Sequence, residues 1–122
     1  MIQGIGWLGV RTDRFDEMVR FYRDVMHLTP TIEIPRQFAL FDLPGGDRVE
    51  LFSADGPFNS HFPAVPVGEF LVDDVDATRL EMEAAGVVFL HVGRDDTNGV
   101  AWAHYRAPDR NLYGITHRKS QT

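Results

Sequence analysis

Residues 7–19 read WLGVRTDRFDEMV and residues 67–79 read VGEFLVDDVDATR. Each is a short apolar run followed by an acidic residue and then by apolar residues at helical spacing. A shift of 60 residues sets Trp7 against Val67, Val10 against Phe70, Asp13 against Asp73 and Phe15 against Val75. Further on, a shift of 64 sets Pro44 against Pro108, Asp47 against Asn111 and Glu50 against Gly114. The extra residues between the two shifts fit in loops. Agreement in element order and in punctuating residues predicts two copies of one β-α-β-β-β unit.

In the first copy, Ile5 to Arg11 reads as a strand. Phe15, Met18, Val19, Tyr22, Val25 and Met26 recur at the three-and-four spacing of an amphipathic helix. Asp13 is the expected N-cap, and Thr29–Pro30 is expected to stop the helix because proline cannot continue it. Strands are expected at Thr31–Ile34, Phe38–Leu43 and Arg48–Phe52, with Pro44-Gly45-Gly46-Asp47 as a turn. Residues 54–66, ADGPFNSHFPAVP, lose the periodicity and read as a connector. In the second copy Val67–Val72 is a strand and Asp74 an N-cap. Ala77, Leu80, Ala84 and Val87 trace one helical face, and Gly86 is the stop. Val87–Val92, Val100–Ala107 and Leu112–Thr116 are strands, with Asn98-Gly99 as a hairpin turn. The organisation expected is one domain over residues 1–122: module 1 about 1–53, connector 54–66, module 2 about 67–117.

Composition narrows the function classes. The 122 residues carry no Cys, which excludes disulfides, thiolate metal sites and cysteine nucleophiles. A formal net charge of −6 disfavours a phosphate backbone as partner, so no nucleic acid is expected. His117, Arg118 and Lys119 read as a solvated basic tail. The apolar runs are too short for a membrane helix, and no signal peptide is read at the start. A cytoplasmic protein is therefore expected.

Three strings carry a family resemblance. FDEMVRFYRDVMHL resembles the first helix of the vicinal-oxygen-chelate superfamily, the glyoxalase, bleomycin-resistance and dioxygenase group. FLVDDVDATRLEMEAAGVVF is similar to its second strand–helix junction, and APDRNLYGI to its C-terminal stretch. The resemblance implies an α+β fold of two tandem β-α-β-β-β modules forming a curved mixed sheet cup. It also implies four metal-ligand positions. By the motif they fall on Trp7, Glu50, Val67 (or Gly68) and Gly114. Only Glu50 can coordinate, and a catalytic divalent site normally needs about three protein ligands. No metal cofactor is expected.

Strand alternation suggests what the cup contains. If Ala103 and Tyr105 face the helix, then Trp102, His104 and Arg106 face the cup. Leu8 and Val10 suit the helix side, leaving Trp7, Gly9 and Arg11 in the cup, and Val49 and Leu51 suit it on their own strand, leaving Arg48, Glu50 and Phe52 there. By the repeat, Phe38 and Leu40 match Trp102 and His104. The candidate ligand-binding residues are therefore Trp7, Phe38, Leu40, Arg48, Phe52, Trp102 and Arg106, with Glu50 and His104 as candidate catalytic residues. His27 reads as a surface residue closing the first helix. Three functions remain open at this point. One is a metal-free binding protein for an aromatic or organic small molecule, acting as a homodimer with no membrane or nucleic-acid partner. Another is a metal-independent lyase or isomerase using Glu50 and His104. The third is an ordinary metal-dependent glyoxalase or dioxygenase.

Overall fold

The structure, a computed structural model, describes residues 2–119. The order of elements is β1 (Ile2–Thr12), α1 (Phe15–Arg20) running into a π-helical segment (Phe21–Val25), β2 (Pro30–Ile34), β3 (Phe38–Asp42), β4 (Arg48–Ser53), β5 (Val67–Val72), α2 (Val75–Ala84), β6 (Phe89–Asp95), β7 (Val100–Arg106) and β8 (Leu112–Arg118). The β-α-β-β-β unit thus occurs twice and the fold class is α+β. The chain divides into two compact units, residues 7–67 and residues 2–6 with 68–119.

In the unit of residues 7–67 the strand order is β2-β3-β4-β1. β1 and β4 run parallel, with Gly9 opposite Glu50, while β3 and β4 are antiparallel, with Leu40 opposite Glu50. One sheet face packs on the helix. Phe15, Val19 and Tyr22 meet Ala39, Phe41, Val49 and Leu51 there, with Val10 at the margin. Leu8, expected on that side, is exposed. Asp13 is not the N-cap. Arg14 holds that position without a side-chain cap, and Thr12 Oγ1 accepts from its amide at 3.0 Å. The helix ends before Pro30: Met26 N–H reaches back to Phe21 O, and the exposed His27 takes a left-handed φ of 60°. Val25 and Met26 are exposed because the widened turn rotates them off the apolar face.

In the other unit the order is β5-β8-β7-β6. β5 and β8 are parallel, with Glu69 opposite Gly114, while β7 and β8 are antiparallel, with His104 opposite Gly114. Asp74 accepts from Ala77 N–H at 2.9 Å, so the second N-cap is as expected. The buried helix face is different from the one read in the sequence. Val75 and Thr78 are buried and Met82 packs against the core, whereas Ala77, Leu80 and Ala84 are exposed. The cap set the start of the helix, and β-branched Val75 and Thr78 took the inner face. Gly86 stops the helix at φ 96°, and Gly99 turns β6 into β7 at φ 65°. Of the basic run at 117–119 only Lys119 is exposed; His117 and Arg118 are not a solvated tail. β8 extends to Arg118, His117 Nδ1 lies 3.0 Å from Val72 O, and Arg118 donates to Gly6 O at 2.9 Å.

Candidate functional site

Within residues 7–67 the face turned away from the helix carries Trp7, Gly9 and Arg11 on β1, Arg48, Glu50 and Phe52 on β4, and Phe38 and Leu40 on β3. The Trp7 indole folds over Gly9, where any Cβ would collide with the ring. From there Trp7 Nε1–H donates to Glu50 Oε1 at 3.2 Å. Trp7 and Glu50 are both half-buried. Arg48 donates from Nε to Asp42 at 2.8 Å, an ion pair with one partner on β3. Arg11 donates to Ala54 O at 2.7 Å and so fastens the start of the connector.

The connector is more than a link. Phe62 is buried and sets its ring edge-on to Trp7 and Phe52, each at 5.9 Å between centroids. The ring of His61 meets Phe62 at 5.0 Å. Phe52, under Phe62, and Leu40 are buried rather than presented as open lining. Phe38 is half-buried and meets the exposed Phe58 edge-on at 5.3 Å. Sequence reasoning missed Phe58 and Phe62 because Pro and Gly masked any periodicity around them.

In the other unit Trp102, His104 and Arg106 share one face of β7, and Ala103 and Tyr105 join the helix-side core. Trp102 covers Gly93 as Trp7 covers Gly9. Arg106 is exposed and donates to Arg110 O at 3.1 Å. His104 is fully buried, and its Nε2 lies 2.5 Å from Glu69 Oε2. Glu69 is 3% exposed. Burial pushes the Glu69 carboxyl well above the usual carboxylate range, against a lowering hydrogen bond from Thr116. Burial also lowers the His104 imidazole to about 4. Desolvation penalises the charged form of each, so both shifts favour a pair without net buried charge. His91 on β6 stacks on His104 at 5.3 Å, and burial followed by that neighbour lowers it too. Sequence reasoning missed Glu69. Its sequence context marks it only as part of a strand and carries no signal that it faces a histidine 35 residues on.

The family described as "Glyoxalase/Bleomycin resistance protein/Dioxygenase superfamily" matches residues 4–115. The chain belongs to this superfamily. Solved structures agree in fold. The Mn(II)-bound glyoxalase from Novosphingobium aromaticivorans has a TM-score of 0.72 at 24% identity, covering 99% of this chain and 42% of that one. Methylmalonyl-CoA epimerase from Mycobacterium tuberculosis gives 0.69 at 16%, covering 98% and 90%. A glyoxalase/bleomycin resistance protein/dioxygenase superfamily member from Vibrio splendidus 12B01 gives 0.65 at 16%, covering 96% and 99%. No curated protein sequence matches the chain.

The superfamily's divalent ion can be tested against the residues present. Trp7, Val67 and Gly114 offer no side-chain oxygen or imidazole, and Glu50 accepts from an indole N–H. Among the described residues no group of three or more His, Cys, Asp or Glu is placed to hold an ion. This donor set does not fit the usual site. Among the described residues no helix is long and apolar enough to cross a membrane.

Proposed function

We propose that this superfamily member binds an aromatic or otherwise organic small molecule beside Trp7 and Glu50, without a metal ion. The observation that carries the reading is the Trp7–Glu50 hydrogen bond. It pairs a half-buried π-face with a half-buried acceptor, a combination suited to a flat ligand bearing a donor or a positive charge. Phe38 and Phe58 extend the aromatic surface. Such a protein sequesters its ligand and leaves it chemically unchanged. The test is a titration of aromatic amines followed by tryptophan fluorescence, before and after chelation. Saturable binding that survives chelation and weakens at least about tenfold in Glu50→Gln supports the reading. Binding that requires added metal, or no binding across the series, overturns it.

A homodimer fits the same reading. Ile32 and Ile34 on β2 and Leu90 and Val92 on β6 are exposed apolar residues on the terminal strands of their sheets. Sedimentation at micromolar concentration checks it.

A second reading is a metal-independent lyase or isomerase. Its support is the half-buried carboxyl of Glu50 in a fold shared with methylmalonyl-CoA epimerase. Glu50 would be the base. His104 is fully buried against Glu69 and so is not available to a substrate as an acid. Deuterium uptake next to a thioester or ketone carbonyl, abolished in Glu50→Gln, is the result this reading expects.

A further inference from the structure

The two copies of the repeat place glutamate and glycine in opposite order across the same strand pair. In the first, Gly9 on the opening strand faces Glu50 on the closing strand, and the third residue in line is Leu40. In the second, Glu69 on the opening strand faces Gly114 on the closing strand, and the third residue is His104. Each glycine is covered by what its neighbours project. Trp7 lies over Gly9, while Glu69 and His104 meet over Gly114. A Cβ on Gly114 would stand 2.8 Å from Glu69 Cγ, 2.8 Å from His104 Cδ2 and 3.0 Å from Ala103 O. The space in which a side chain at 114 would lie is therefore taken by the pair.

We infer that Glu69 and His104 form a closed carboxyl–imidazole pair that replaces a coordinating side chain at position 114, so that the second module positions its strands through this pair and contributes no metal ligand. The geometry supports closure. The two side chains are 4% and 1% exposed, and His104 Nε2 lies 2.5 Å from Glu69 Oε2. The pair spans β5 to β7 across β8. His91 from β6 stacks on the imidazole. Trp102 and Arg106 flank His104 on its own strand. The exchange of glycine and glutamate explains why Gly114 lacks a ligand: a side chain there and the pair exclude each other.

This inference rests on the metal-free reading for the second module alone, and one experiment separates the two. Diamagnetic Zn2+ is added to the wild-type protein and the His104 imidazole and Trp7 indole shifts are followed by NMR. An unshifted His104 imidazole is expected. A His104 shift at stoichiometric Zn2+ overturns the inference, whereas a shift confined to Trp7 overturns the metal-free binding reading and leaves this one standing. A second measurement is a double-mutant cycle by thermal unfolding. Gly114→Ala is expected to lower Tm by at least about 5 °C in the wild type and by less than half as much beside Glu69→Ala. Equal losses in both backgrounds overturn the claim that Gly114 makes room for the pair.

Discussion

Glu69 on β5 and His104 on β7 meet at 2.5 Å although the strands that carry them are not neighbours; β8 lies between them, with Gly114 beneath the contact. A buried carboxyl and imidazole are each costly alone and acceptable together, because each answers the other's hydrogen-bonding demand.

Removing one partner should therefore be worse than imitating it. Glu69→Ala leaves His104 buried without its acid and is expected to cost about 3 kcal/mol. Glu69→Gln offers an amide N–H to His104 Nε2 and is expected to cost about 1 kcal/mol. Denaturant unfolding of both variants checks the order, and equal losses would count against the pair.

Acid should expose the pair. His104 is lowered to about 4 from an ordinary value near 6.5, so the unfolded chain takes up this proton first. Its contribution is fully present above about pH 6.5 and is lost as pH falls toward 4. The Glu69 value is raised, so its contribution is present below its ordinary 4.5 and declines as pH rises above it. The two run in opposite directions between those limits. Glu69→Gln removes the second and is expected to lose more stability than the wild type on going from pH 6.5 to 4.5. Thermal unfolding at several pH values in both proteins, with His91→Gln as a control for the stacked ring, makes the comparison.

The two helix starts should respond differently to the same change. Asp74→Ala removes a real cap and is expected to cost about 1 kcal/mol. Asp13→Ala is expected to stay within about 0.5 kcal/mol, since Arg14 holds the N-cap position. Urea unfolding of the two variants resolves the difference.

Phe62→Ala should behave as a core substitution despite its place in a Pro-rich connector. Its ring is 6% exposed and rests on Trp7 and Phe52. A loss of about 3 kcal/mol with a shift in tryptophan emission is expected. A loss below about 0.5 kcal/mol would mean that the connector does not seal that face.

Much of this architecture was legible without coordinates. The order of apolar runs, acidic helix starts and glycine stops repeats along the chain, and each of these signals is local. A capping aspartate at 74 or a left-handed glycine at 86 needs only a few neighbours to act. Alternation likewise placed Ala103 and Tyr105 on one face of β7 and His104 on the other, because a strand's pleat has a period of two. What the residues are opposite to is another matter. Register across three strands made Glu69 the partner of His104, put Gly114 under both, and brought Trp7 onto Glu50. Pairing of that kind depends on how far each strand slides past the next, and no short stretch of sequence contains that distance. Burial by Phe62 is decided in the same way: a connector without periodicity acquires a core residue only when the chain folds back and the ring finds Trp7 and Phe52.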